Sequence, residues 1–440
     1  MAFSRAYTPT AICSAARASL YTGVYAHRHG VLNNVTGPEA VRTNPSHDLP
    51  TAAEMLKGAG YHTGHVGKWH VALDDAPAAR GFIDDRAGDA MVTDDDRFED
   101  YRNRWGAPGP TTVTTRYPEP GLRASKYARF RFPMYATDTV AQDATLANAV
   151  HEEADVLLQS YATTSEPFFL VASFIDPHWP NVLPDPWASM YDPADIAPWP
   201  NFNDSFEGKP RTNAAGLEHF GVGHLTWDDW APFVAHYLGA VSYTDHFVAK
   251  LLTRLDSLGL TDSTVVMASA DHGDMAGSHR QFNKGPLMYE EVYRIPLMVR
   301  WPGVVAPGST SNGLASLIDL TPTLADIAGA PVPDGLHGRN LTPVLRGEVD
   351  AVREALMCEY HGDEFGLYSQ RMIRRDQYKL VYNPNDVREL YDLDNDPHEL
   401  RNLAYEPDCA ELRQDLEGHL VELMEESADP LFRFGSSILG

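Results

Sequence analysis

The sequence predicts an α/β fold in which a parallel sheet is covered by helices and a smaller second domain follows. Three observations predict it. Apolar runs rich in β-branched residues alternate with segments whose apolar positions recur every three or four residues, as strands joined by covering helices require. Two of these runs end at Asp176 and Asp271, which puts polar residues at the carboxyl edge of the sheet, where open α/β folds bind ligands. Beyond about residue 345 the pattern turns into short alternating stretches that read as an antiparallel meander.

In chain order, "YHTGHVGKW" (61–69) reads as an apolar strand that delivers Lys68 and His70 just past its end. Residues 74–135 are rich in Asp, Arg, Pro and Gly and show neither period, so they read as an irregular insertion bordering a pocket. "PFFLVASFIDPHWP" (167–180) reads as a buried strand ending at Asp176, with His178 beyond it. The stretch 230–260 has helical apolar spacing and Gly259 near its end. "STVVMASADHGD" (263–274) is a second strand, stopping at Asp271. Residues 368–404 form the meander and 407–427 a closing helix, giving domains of 1–345 and 346–440.

Composition narrows the function. A chain of 440 residues with 43% hydrophobic content can bury one large core or two unequal ones. No run approaches the roughly 18 uninterrupted apolar residues of a membrane-spanning helix, so no membrane partner is expected. Sixty-one acidic residues against 35 basic ones give a formal charge of -26, which argues against nucleic acid and means that an anionic substrate needs a local basic pocket. Three scattered cysteines, Cys13, Cys358 and Cys409, are too few for a disulfide framework, although one pair could form. The first residues lack a basic region followed by an apolar one, so no export signal is visible and the chain as given reads as cytoplasmic.

The polar residues past the strand ends suggest the chemistry. Asp271 and His272 are adjacent at a strand end, a common place for ligands to a divalent cation. Lys68, His70, His178 and Lys284 occupy equivalent positions. Singly, such residues are usually solvated or satisfy a core hydrogen bond. Together with Arg17 they make a pocket suited to an oxyanion.

"CSAARASLYTG" (13–23) resembles the sulfatase signature, and "GYHTGHVGKWH", "FIDPHWP", "ADHGDMAGSHRQFNKGPLMYEEVYRIPLMVRWPG", "SLIDLTPTLADIAG" and "ELYDLDNDPHELRNLA" resemble further sulfatase blocks in the family's order. The resemblance runs from Phe3 to about Leu403. It implies the fold of the alkaline phosphatase superfamily, a large mixed, mostly parallel sheet sandwiched by helices, and a sulfuric ester hydrolase of arylsulfatase type.

In that family the signature cysteine is oxidised by a separate formylglycine-generating or sulfatase-maturating enzyme, so Cys13 is the implied precursor of formylglycine. The hydrated aldehyde has a chemical advantage over a thiol or hydroxyl: after one hydroxyl attacks sulfur, the other collapses the hemiacetal and expels sulfate by C–O cleavage. By the same resemblance Arg17 holds the modified residue from the next helical turn, following a helix start at "ASLYTG". Lys68 and Lys284 bind sulfate oxygens, His70 stabilises the hydrate and takes its proton, and His178 serves the leaving oxygen. Substrate binding falls to Lys68, His178, Lys284 and Asn34. The metal ligands are Asp271, His272 and the side chain at 13; the expected ion is Ca2+, with Mn2+ the alternative because His272 offers nitrogen.

Two departures from the family pattern stand out. The third signature position, most often Pro, is Ala15. Family members also carry a strand with a pair of acidic metal ligands before the signature, whereas twelve residues precede Cys13 here and none is Asp or Glu. The expectation is therefore a chain that starts inside the fold, with a cation site short of the six or more oxygens calcium prefers.

The expected partner is a small aryl or carbohydrate sulfate. Two other readings stay open: a phosphonate monoester or phosphodiester hydrolase of the same superfamily, or an inactive truncated fragment. Oligomeric state is not legible. Aromatics at Trp199, Phe202, Phe220, Trp227 and Trp230 suit either stacking on a sugar or aryl group or loop packing.

Overall fold

A computed structural model describes residues 1–37, 40–86, 112–114, 131–138, 141–363 and 366–433. Most of the irregular insertion expected at 74–135 lies outside the described residues. The strands that matter here are β1 (Ala2–Tyr7), β2 (His62–Gly67), β3 (Asp84–Arg86), β4 (Phe168–Ser173), β5 (Val266–Ser269), β6 (Arg294–Ile295), β7 (Leu297–Arg300), β8 (Thr310–Ser316), β9 (Ala355–Tyr360), β10 (Gln370–Arg375), β11 (Tyr378–Tyr382) and β12 (Glu389–Asp392). The main helices are α1 (Cys13–Thr22), α2 (Ala52–Gly58), α3 (Leu146–Tyr161), α4 (Trp227–Ser257), α5 (Leu320–Ala328) and α6 (Ala410–Glu426).

β1 is the centre of a five-stranded sheet. It runs parallel to β8 on one side and antiparallel to β6 and β7 on the other, with β5 antiparallel beyond β7. Pro296, which has no N–H to give a ladder, separates β6 from β7. A second sheet, in the order β3-β2-β4, is parallel throughout. Successive residues of β1 point to opposite faces and both faces are covered. Ala6 packs with Leu317, Leu320 and Leu341 around α5, while Tyr7 packs with Leu356, Cys358, Met372 and Val381 of the C-terminal sheet. That sheet, β9-β10-β11-β12, is an antiparallel meander whose far face is closed by Leu416, Leu420 and Met424 of α6.

Several elements differ in extent from the sequence expectation. α1 starts at Cys13 itself rather than at "ASLYTG"; Ile12 is its N-cap and supplies no side-chain bond, so no capping residue advertises the start. α4 begins at Trp227, where Thr226 and Asp229 exchange side-chain and backbone bonds, and stops two residues before Gly259. β4 and β5 end earlier than read, at Ser173 and Ser269, which leaves Asp176 and Asp271 on the loops that follow. All three cysteines are free thiols. Among the described residues no helix is long and apolar enough to cross a membrane.

Candidate active site

Cys13 is the first residue of α1 and is 2% exposed. Its Sγ lies 3.0 Å from Nε2 of His272. His272 Nδ1 lies 2.7 Å from the Gly273 carbonyl oxygen and donates to it, which aims Nε2 at the sulfur. Gly273 is required by close packing: a Cβ there would sit 1.9 Å from the Glu291 carbonyl oxygen. One helical turn on, Arg17 is a hub. Its Nε donates to Asp271 Oδ2 (2.8 Å), and its Nη1 donates to the Lys68 carbonyl (2.9 Å) and to Ser173 Oγ (2.9 Å). One guanidinium therefore gathers the loops beyond β2 and β5 and the end of β4.

Lys68 and Lys284 are 8% and 5% exposed, and both lie close enough to Cys13 to act on its charge. Gly67 shapes the approach of Lys68, since a Cβ at this left-handed position would meet the Ser173 carbonyl at 2.1 Å. Lys284 donates to Asn283 Oδ1 at 3.2 Å. His178 gives its Nδ1 proton to the Trp179 carbonyl (2.7 Å) and bonds to Cys13 from its other side. His70 follows Lys68 in a left-handed backbone conformation, with a buried Nδ1 that has no partner among the described residues. Asn34 bonds beside Cys13 rather than to a cation. Its Oδ1 accepts from the Ser14 N–H (3.3 Å) and its Nδ2 donates to Asp363 (2.9 Å), so it anchors the start of α1 to the C-terminal part of the chain.

The charges explain the electrostatics. Burial alone would push the Cys13 thiol up, but the ammonium groups of Lys284 and Lys68 and the His272 imidazole outweigh it and hold the thiol well below its ordinary range. Burial would likewise raise Asp271, and Arg17 with His272 overrides it, keeping the carboxylate ionised. His178 is lowered, chiefly by burial, so the ring is neutral in the free site. The arrangement sets a nucleophile-type side chain among buried cationic groups, suited to a tetrahedral oxyanion.

Cys13, Asp271 and His272 bring ligand atoms within 4.8 Å of one another. The Nε2 lone pair of His272 and the ionised Asp271 are the donor types a divalent cation uses, and the Gly273 carbonyl fixes the histidine as an outer-shell partner does. The three residues fit one face of a divalent ion. With one imidazole nitrogen and one carboxylate, the set suits a transition-type ion better than an all-oxygen calcium cage.

Three residues around the site went unnoticed in the sequence. Ser173 is the last residue of β4 and carries an Arg17 bond, a place the strand-end argument could have singled out. Asp274 is buried and pushed up to about 6 because burial outweighs its bond from the Ala276 N–H and the nearby Lys284. Asp363 accepts from Asn34, 329 residues away, and the neighbouring Gly362 carbonyl accepts from Asn33, a meeting that only the fold brings about. The aromatics resolve as packing: Phe202, Phe220 and Trp230 are buried in one cluster with Phe282, and Trp199 and Trp227 are partly buried against it.

Comparisons with known proteins agree with this geometry. The Sulfatase family profile matches residues 1–330, and a second, described as N-sulphoglucosamine sulphohydrolase, C-terminal, matches 277–426. The chain is 29% identical to the uncharacterized sulfatase YidJ of Escherichia coli K12, covering 97% of this chain and 80% of that one. It is 29% identical to the choline-sulfatase of Rhizobium meliloti, with 92% and 75% covered. Among solved structures, a 2-O GAG sulfatase superposes with a TM-score of 0.75 at 23% identity (99% and 86% covered). The phosphonate monoester hydrolase of Silicibacter pomeroyi superposes at 0.77 and 23% (98% and 89% covered). Sharing the alkaline phosphatase-like α/β fold with these structures, and the family profile over three quarters of its length, the chain belongs to the sulfatase family of sulfuric ester hydrolases.

Proposed function

We propose that this protein hydrolyses a small aryl or carbohydrate sulfate ester at residue 13 after Cys13 has been converted to formylglycine by a maturation enzyme. The observation that carries the reading is the placement of Cys13 among Arg17, Lys68, Lys284, His178 and His272, within a chain whose overall charge repels anions. Names of relatives support the substrate class: an N-acetylglucosamine-6-O-sulfatase of Bacteroides thetaiotaomicron and an arylsulfatase of Clostridium perfringens are among them.

Converted residue 13 supplies a hydrated aldehyde as nucleophile, and a divalent cation on Asp271, His272 and residue 13 would polarise the sulfate and favour the deprotonated nucleophile. The chain's own residues do the rest. Lys68 and Lys284, desolvated in the pocket, pair with sulfate oxygens and neutralise the charge that develops on them. Arg17 fixes Asp271 and, through the Lys68 carbonyl and Ser173, the walls of the pocket. His178 is neutral in the empty site; a bound sulfate raises its proton affinity, so Nε2 can carry a proton to the leaving oxygen while Nδ1 stays on the Trp179 carbonyl. His70, with its Nδ1 unengaged among the described residues, takes the nucleophile's proton. Asn34 holds the start of α1, and with it residue 13, in register.

The test is production of the chain with a maturation enzyme, followed by comparison of rates on 4-nitrophenyl sulfate and on a phenylphosphonate monoester. A clear preference for the sulfate supports the reading; a preference for the phosphonate replaces it with phosphonate hydrolysis.

A further inference from the structure

Lys284 stands at the exit of a strained loop. Residues 275–283 close on themselves: the Met275 N–H donates to the Asn283 carbonyl (2.8 Å) and the Gly277 N–H to the Gln281 carbonyl (3.0 Å). Within this closure Ala276, His279, Arg280 and Asn283 take φ of 43°, 50°, 56° and 64°, the left-handed region that side chains disfavour. They are four of the ten non-glycine residues with positive φ among the described residues, so the strain is concentrated here. Such backbone persists only where its surroundings over-determine it. Lys284 follows directly, and its Nζ donates to Asn283 Oδ1, so relaxation of the loop moves the lysine's own anchor.

Asp204 holds the apex. It comes from a distant part of the chain and is 3% exposed. Its Oδ2 accepts from His279 Nδ1 (2.6 Å) and from Lys209 Nζ, its Oδ1 accepts from the Phe206 N–H (2.9 Å), and its carbonyl accepts from Arg280 Nη2 (3.2 Å). Two adjacent left-handed residues thus hang on one residue. His279 is fully buried and stacked on Tyr289 with ring centroids 3.9 Å apart, and its Nε2 has no partner among the described residues, which leaves Asp204 as the polar tie of the ring. Burial would raise Asp204, but the bonds from His279 and Lys209 outweigh it and keep the carboxylate ionised. Two further side-chain bonds to the loop are neutral: Trp199 Nε1 donates to the Ala276 carbonyl (2.9 Å) and Gln281 Nε2 to the Asn213 carbonyl. The bond to the ionised Asp204 is the stronger kind.

We propose that Asp204 and His279 are positioning residues for sulfate binding: their bond fixes the strained loop 275–283 and thereby sets the Lys284 ammonium where it meets the sulfate. Both act through Lys284 rather than on the ester. The role rests on Lys284 being a sulfate ligand, the reading given above.

Titration calorimetry of the full chain with inorganic sulfate tests this, in a Cys13→Ser background whose neutral hydroxyl removes the thiolate that repels the probe. His279→Phe keeps a ring on Tyr289 but gives Asp204 no donor; His279→Asn places an amide N–H close to where the ring Nδ1 stood, on a residue that tolerates left-handed backbone. Lys284→Ala should weaken sulfate binding by at least about tenfold, the worth of a charge-assisted hydrogen bond. His279→Phe should weaken it about 5- to 20-fold, and His279→Asn should recover to within about threefold of the parent. In a Lys284→Ala background His279→Phe should change affinity by less than about twofold, because the group it positions is gone. Asp204→Asn should repeat His279→Phe; where loss of the carboxylate beside Lys209 unfolds that variant, His279→Phe decides. No loss in His279→Phe, an equal loss with and without Lys284, or a His279→Asn variant no better than His279→Phe overturns the inference while leaving Lys284 a sulfate ligand. If Lys284→Ala itself leaves sulfate affinity unchanged, Lys284 is not a sulfate ligand, and the reading beneath falls together with the inference.

Discussion

Replacing Arg17 by Met removes the guanidinium that ties three loops together while keeping much of its apolar stem. Arg17 and Asp271 are 11% and 17% exposed, so the substitution strands an ionised carboxylate in a poorly solvated position. Breaking one side of such a pair costs about 3–5 kcal/mol. The Lys68 carbonyl and Ser173 hydroxyl lose their bonds as well. For a chain of 440 residues unfolding in one transition, an unfolding entropy of about 0.9 kcal/mol/K turns that cost into a fall in Tm of roughly 3–6 °C. Scanning calorimetry in the presence of a chelator measures it. The double variant Arg17→Met/Asp271→Asn, which also removes the stranded charge, should recover about 2–3 kcal/mol of the loss. If Arg17→Met melts with the parent protein, or the two substitutions simply add, Arg17 does not hold the site together by neutralising Asp271.

Other outcomes follow from the same geometry. Lys284→Ala and Lys68→Ala should each lower kcat/KM for 4-nitrophenyl sulfate by about 10- to 150-fold, the worth of a charge-assisted hydrogen bond, and an unchanged value would take that lysine out of sulfate binding. His178→Gln should slow an alkyl sulfate much more than 4-nitrophenyl sulfate, whose leaving group needs no proton; equal losses on both would remove His178 as the acid. Away from the pocket, His27 and Glu359 form a buried pair, 2.7 Å apart. Burial would lower His27, but Glu359 outweighs it and raises it, while His27 and His361 hold Glu359 well below its usual range despite burial. The raised histidine adds stability that is complete below its unfolded value and lost as pH rises through its folded one; the depressed carboxylate adds stability above its unfolded value and loses it as pH falls. His27→Gln should therefore cost most stability between about pH 4.3 and 6.5 and progressively less at alkaline pH, as urea titrations across that range can check. A cost that does not vary with pH would contradict this.

The residues of the pocket were legible in the sequence because their chemistry sits where strands end. Lys68, His178, Asp271 and His272 each follow an apolar run, and Cys13 and Arg17 are one helical turn apart. What could not be read was set by contacts between distant parts of the chain. The start of α1 at Cys13 carries no side-chain cap. Asn34 turns out to brace α1 through Asp363, a partner separated by most of the chain. Asp274 looks like any loop acid until burial raises it.

The most direct test of the central claim joins two readouts on one preparation: the mass of the tryptic peptide Ala6–Arg17, which reports conversion of Cys13 to formylglycine, and the turnover rate on 4-nitrophenyl sulfate. Turnover should rise in proportion to the converted fraction and be absent from a folded Cys13→Ala variant. Turnover that is independent of conversion, or that persists in Cys13→Ala, would contradict the account.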